Sequence, residues 1–418
     1  MIDRPSKQPS GLAWAPVVPA HWTVKKLAFL ASLKSGDSIT TDDIKDDGPY
    51  PVYGGNGLRG YTDRFTHDGE YALIGRQGAL CGNINYAKGE FWASEHAVVV
   101  APREEISVRW LGELLRAMEL NQYSVSAAQP GLSVETIAAL RVPIPPLKEQ
   151  RAIAEYLDRE TARLDALVAA KEWVLGLLAE KRRALIARAV TRGLDPRAPL
   201  RDSGIPWLGE IPAHWGTWKL GHAAVVGNGS TPNRDNAEYW AEGSIPWLNS
   251  SVVNQEEVTA SDQFVTPTAL RECHLPLVKP GSVLVGITGQ GKTRGSAVVL
   301  SFEATINQHL AFITPNADLL NAWFLRWALF AAYEFLRSIS DDAGGTKGAL
   351  TCEAVAALYV PLPPLNDQSA IVAHVSSEAS KLEALRVATE RTITLLKERR
   401  AALIAAAVTG QIDIGVTA

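Results

Sequence analysis

The stretch VPIPPLKEQRAIAEYLDRETARLDAL, beginning at Val142, returns 218 residues later as VPLPPLNDQSAIVAHVSSEASKLEAL, beginning at Val360. A repeat at that spacing requires two related units, which restricts the architecture more than any other feature of the chain. The 218-residue register holds without a gap from Leu132 and Leu350 to Asp195 and Asp413, closing in EKRRALIARAVTRGLD and KERRAALIAAAVTGQID. Upstream, VPAHW at Val18–Trp22 recurs as IPAHW at Ile211–Trp215, now 193 residues apart, so the second copy carries 25 additional residues in its variable part. Each copy is a variable globular part followed by a similar tail, giving four segments: 1–146, 147–200, 201–364 and 365–418.

The tails read as helices. Pro145 with Pro146, and Pro363 with Pro364, cannot sit inside a helix and mark where each tail begins. Glu149 and Asp367 then place negative charge in the first turn, where the helix dipole favours it. Proline is absent to Val190, and Gly176 is the one weak point, costing about 1 kcal/mol against alanine. Ile153, Leu157, Leu164, Leu167, Val174, Leu178 and Leu185 form a narrow apolar seam, repeated as Ile371, Val375, Leu382, Leu385, Leu396 and Leu403. A seam of this kind is buried against another helix, and the other copy's tail is the natural partner, predicting an antiparallel coiled coil. The alternative is that each tail folds back on its own globular part.

The globular parts predict a mixed α/β fold. YPVYGGNGLRGY, EYALIGRQGALCGNINY and FWASEHAVVVAP alternate β-rich runs with glycine and asparagine turns, before a helix near Val108–Leu120. The second part follows suit, with a helix near Asp318–Ile339. Within it, GITGQGKT at Gly286–Thr293 matches the P-loop pattern letter for letter. A phosphate-binding loop needs a helix directly after the lysine, but RGSAVVLSF supplies a glycine break and a β-branched run. The equivalent LIGRQGALCG at Leu73–Gly82 has no Lys-Thr pair. A glycine-rich hairpin with polar and basic tips accounts for both copies.

No apolar run approaches the ~18 residues of a membrane span, and the three cysteines, Cys81, Cys273 and Cys352, form no paired motif. Neither zinc nor a disulfide framework is predicted, and the expected location is the cytoplasm. The net charge of −4 argues against nucleic-acid binding by bulk electrostatics. Only residues 147–200, with 11 basic and 8 acidic groups, are net positive, so the chain alone is expected to bind DNA weakly. The clusters Lys181–Arg183 and Arg399–Arg400 read as solvated helix faces. His21 and His214, each before a tryptophan, read as packing anchors, and His96 and His309 as structural.

Tandem parts with WLGEIPAHW, VP[IL]PPL..Q..I and EKRRALI..AVT or KERRAALIAAAVTG, together with STPNRDNAEYWAEGSIPWLNSS and its first-copy counterpart VYGGNG, resemble the specificity subunit of type I restriction-modification systems. The opening GLAWAPVVPAHW departs from WLGEIPAHW in lacking its Gly-Glu pair. The resemblance implies two target recognition domains, each reading one half of a bipartite sequence in double-stranded DNA. It implies that the two helices set their spacing and dock two methyltransferase subunits, with restriction and motor subunits able to join. It also implies that the chain is not catalytic, and that S-adenosylmethionine, ATP and magnesium belong to the partners. On this reading the residues expected at DNA are Tyr53, Asn56, Arg59, Arg76 and Gln77 in the first part. In the second they are Ser230, Thr231, Arg234, Asn249, Gln290, Lys292 and Arg294. The alternative for each is a solvated loop tip. Two other functions stay open at this point: a structural adaptor that spaces protein partners, and a P-loop nucleotide-binding protein.

Overall fold

The computed structural model describes residues 6–78, 80–124, 131–289, 291–341 and 348–414. It divides into two compact units, Met1–Trp173 with Glu390–Ala418, and Val174–Thr389.

The first unit is organised by a six-stranded sheet. Its strands are β1 (Ala31–Ser35), β2 (Tyr50–Gly54), β3 (Gly57–Thr62), β4 (His67–Gly75), β5 (Ile84–Ala93) and β6 (Ala97–Pro102), in the order β1-β6-β4-β5-β2-β3. All neighbours are antiparallel except β5 and β2. Strand alternation splits the apolar runs of β4 and β6 between two faces. Ala72, Ile74, Val98 and Val100 pack under helix α1 (Val108–Ala117) with Trp110, Leu111 and Leu114, while Leu73 and Val99 join Ala87 and Phe91 on the other face. The Ser107 hydroxyl caps α1 by accepting from Trp110 N.

The second unit repeats this plan with β7 (Ala224–Asn228), β8 (Ile245–Leu248), β9 (Val283–Gly286), β10 (Ala297–Leu300) and β11 (Leu310–Pro315). The order β7-β11-β9-β10 reproduces β1-β6-β4-β5, and Glu257–Val258 closes the sheet. Strand β8 pairs in parallel with Thr305–Ile306, as β2 does with β5. Helix α3 (Ala322–Ala331) covers the sheet as α1 does, with the Asn321 side chain as its cap.

The long helices run from Leu147 to Arg192 (α2) and from Leu365 to Val408 (α4). Each is fixed to its unit by the same three devices. A short strand just before it, Arg141–Ile144 or Tyr359–Leu362, pairs antiparallel with Thr23–Lys26 or Gly216–Lys219. The first-turn acid is clasped by the His-Trp pair. Glu149 meets His21 Nε2 at 2.7 Å and accepts from Trp22 Nε1 at 2.9 Å, and Asp367 meets His214 and Trp215 at 3.1 and 3.2 Å. Next, a buried glutamine ties the helix to the cap of the covering helix. Gln150 accepts from Ser107 N at 3.1 Å and donates to Pro145 O, and Gln368 accepts from Asn321 N at 2.7 Å and donates to Pro363 O. The tryptophans are the packing anchors, and the adjacent histidines are exposed hydrogen-bonding groups.

Each core is completed by the far end of the other copy's tail. Ile404, Ala407 and Val408 pack with Ile153, Leu157 and Trp22, and Ile186, Ala189 and Val190 pack with Ile371, Val375 and Trp215. Within the first unit Asp165 pairs with Arg400 at 2.8 Å and Glu172 with Lys397 at 3.5 Å, a descending register that makes the helices antiparallel. Two of the expected seam residues lie outside the buried line: Leu167 is 43% and Leu385 55% exposed. The line instead runs through Thr161, Leu164 and Val168 on α2 and Ala379, Leu382 and Ile393 on α4. Small and hydroxyl residues complete it where apolar spacing alone selects leucines. Two of the basic groups expected to be merely solvated are engaged. Arg400 pairs with Asp165, and Arg182 pairs with Glu256 while lying over the rings of Trp327 and Phe330.

Candidate nucleic-acid interface

At the same end of each sheet, three loops meet with matching backbone bonds. The first leaves the opening strand through a glycine, Gly36 or Gly229. A Cβ there would lie 2.1 Å from Ala93 O or 1.8 Å from Ile306 O, so no other residue allows this approach. The next residue, Asp37 or Ser230, donates its N–H to that same carbonyl at 2.9 or 3.0 Å. The second loop is the glycine hairpin, closed by Gly82 N to Gly75 O and by Gly295 N to Gly286 O, both 2.8 Å. The third is the turn Ser94-Glu95-His96 or Asn307-Gln308-His309. Its histidine carbonyl accepts from Arg76 N or Ile287 N.

The hairpin settles the P-loop question. Strands β9 and β10 are antiparallel neighbours, and β10 is the first element after Thr293. Gly286 N donates to Ser296 O, and the carbonyls of Gly291 and Lys292 accept from Arg337 Nη1 and the Tyr333 hydroxyl. The backbone is thus folded on its own unit and is not an amide nest at a helix N-terminus.

In the first unit the loops collect Asn56, Arg76 and Gln77. Asn83 Nδ2 donates to Asn56 Oδ1 at 3.3 Å, Arg76 Nη1 donates to Ser35 Oγ at 3.1 Å, and Gln77 is exposed and bridged to Gly131. Arg59 is exposed on β3 with its stem against Gly54, whereas Tyr53 is half-buried edge-on to Phe91. In the second unit Thr231 Oγ1 donates to Gln308 Oε1 at 2.5 Å, and the Ser230 carbonyl accepts from Trp247 Nε1 at 3.2 Å. Arg234 is exposed, lies over the rings of Trp240 and Trp247, and donates to Gln263 Oε1 at 2.9 Å. Lys292 is exposed at the hairpin tip. Arg294 is not a tip residue: it is 3% exposed, because the hairpin folds back in a bridge between Gly286 and Arg294. The Asn249 side chain is engaged in capping, accepting from Ser251 N at 2.9 Å. Gln290 lies outside the described residues.

The family model for the type I restriction modification DNA specificity domain matches residues 19–172 and 212–386, most of the chain and both copies. The chain belongs to this family. A 139-residue segment, 32% of the chain, is 44% identical to the type I restriction enzyme EcoprrI specificity subunit of Escherichia coli and covers 35% of it. Among solved structures, one concerned with complex assembly and conformational transition of the type I R-M system contains a chain similar in fold. The TM-score is 0.71 at 18% identity, over 94% of this chain and 99% of that one. The HsdS subunit from Thermoanaerobacter tengcongensis matches with a TM-score of 0.54 at 18% identity, over 94% of this chain and 98% of its own.

Sequence reading of this specificity-domain chain missed several members of the loop clusters. Asp37 is the positional counterpart of Ser230, and the strand holding VYG corresponds to β8, which lies within STPNRDNAEYWAEGSIPWLNSS. His96 and His309, expected to be structural, stand exposed or half-exposed at the turn, with His309 Nδ1 2.8 Å from Thr288 Oγ1. The available signal was the placing of SEH and NQH directly before equivalent buried strands. No helix among the described residues is long and apolar enough to cross a membrane.

Proposed function

We propose that this chain is the DNA sequence-recognition subunit of a type I restriction-modification complex, each specificity domain reading one half of a bipartite duplex target. The observation that carries this reading is the matched trio of glycine-anchored loops. The duplication reproduces their backbone bonds while their exposed side chains differ, so one scaffold presents two different readers. Tyr53, Asn56, Arg59, Arg76, Gln77, Ser230, Thr231, Arg234, Asn249, Gln290 and Lys292 remain the proposed contacts, to which the exposed Gln308 and His309 are added. Arg294, buried within the hairpin, is left out of these contacts.

Methylation and cleavage belong, on this reading, to partner subunits that carry S-adenosylmethionine, ATP and magnesium, and the complex works in the cytoplasm. The long helices offer two methyltransferase subunits a place to dock. Trp173 is 68% exposed, and Leu177, Val387 and Leu395 also present apolar surface to solvent. An adaptor that only spaced proteins would have no use for two differently decorated loop trios. Mapping of methylated motifs in cells that express the chain with its methyltransferase tests the proposal. A two-part motif is expected, and methylation without sequence preference would reject it.

A further inference from the structure

Each domain holds an arginine against a tryptophan whose indole pins the glycine-anchored loop, although the two tryptophans come from different strands. In the first unit Trp92 is the penultimate residue of β5, and its Nε1 donates to Asp37 O at 3.2 Å. In the second, Trp247 lies on β8, and its Nε1 donates to Ser230 O at 3.2 Å. Asp37 and Ser230 are equivalent positions, so the same carbonyl is held from opposite members of the parallel strand pair. Over these rings lie Arg64, its Cζ 5.2 Å from the Trp92 centroid, and Arg234, its Cζ 4.7 Å from Trp247 and 3.9 Å from Trp240. Common descent of one sequence position does not explain the match, since neither the tryptophans nor the arginines align.

A guanidinium over an indole uses its face and leaves in-plane N–H donors to point elsewhere, and Nη2 of Arg64 lies 3.9 Å from Asp43 Oδ2. Gln263 engages one nitrogen of Arg234 and further fixes its orientation. Both arginines are exposed. A planar fork held in one orientation beside a DNA-facing loop matches the two acceptors, O6 and N7, that guanine displays in the major groove. Holding it before binding reduces the ordering entropy lost on contact.

Resting on the DNA-reading function proposed above, we propose that Arg64 and Arg234 are the guanine-reading side chains of the two half-sites, one in each domain. The full-length chain, assembled with its methyltransferase subunits, is to be used to enrich sites from randomised duplex DNA. Arg234→Lys, which keeps the charge and removes the fork, is expected to lower the preference for guanine at one position of one half-site roughly tenfold or more, leaving the other half unchanged. Arg64→Lys is expected to do the reciprocal. Gln263→Ala, which leaves the ring packing in place, is expected to weaken discrimination at the Arg234 position only. Unchanged motifs in all three variants would overturn the assignment. So would uniformly weaker binding with a salt slope smaller by about 1, the mark of a phosphate contact. A wild-type complex that enriches no motif would reject the DNA-reading function itself, and the assignment with it.

Discussion

Arg326, on the buried face of α3, is 5% exposed, with Nε and Nη1 lacking hydrogen-bond partners among the described residues. Its nearest counter-charge is Glu256 at 3.6 Å, which also accepts Arg182. Burial brings its pKa down to about 10, with Glu256 opposing and Arg182 adding to the fall. Folding therefore disfavours the ionised form, a penalty present in full at neutral pH and relieved only as pH rises through about 10. Arg326→Met is expected to leave thermal stability unchanged or raise it, whereas Glu256→Gln should lower it by about 1–2 kcal/mol, both read by thermal denaturation. Lys292, in contrast, faces solvent at the hairpin tip. Lys292→Ala should leave ATP hydrolysis by the assembled complex intact and weaken DNA binding or relax one half-site. ATP binding by the isolated chain that this change abolishes would contradict the hairpin assignment.

Among the elements, the long helices were the most legible from sequence, since paired prolines, a first-turn acid and an apolar seam are local signals, although the seam's register was off at Leu167 and Leu385. The hairpin in place of a P-loop was equally readable, from Gly295 and the β-branched run after it. The clasp on each helix was not. Glu149 and Gln150 satisfy sequence rules for a helix start, but their partners Trp22 and Ser107 lie 127 and 43 residues away. The loop trios were half-legible for the same reason. Glycine marks a loop, but only strand register shows that Asp37 shares its position with Ser230 and that Arg64 reaches Trp92. Gln150→Leu should destabilise the first unit by about 2 kcal/mol, because it leaves Ser107 N and Pro145 O without their partner. Hydrogen exchange of α1 is the measurement. Gly229→Ala forces a Cβ to within 1.8 Å of Ile306 O. It should displace the loop holding Ser230 to Arg234, with selectivity lost in the second half-site alone.

At the scale of the whole molecule, the boundary between the two compact units falls inside both helices, at Trp173–Val174 and Thr389–Glu390. Exchange of residues 211–350 for the matching part of a relative should therefore change one half of the methylated motif and preserve the other. A seven-residue insertion near Lys171 matched by one near Thr389 keeps the seam in phase and adds about 10 Å of helix. Motif mapping should then show both half-sites retained with their spacing altered. The exchange of tail ends couples distant parts of the chain. Lys7 Nζ donates to Gln411 Oε1 at 2.6 Å, and Ile404, Ala407 and Val408 fill the core built on Trp22. The core of the first unit is thus completed only by residues nearly 400 positions further along the chain. A variant cut after Ala401 would keep every residue proposed to contact DNA yet leave the first core open, and limited proteolysis is expected to degrade its first unit faster than that of the uncut chain.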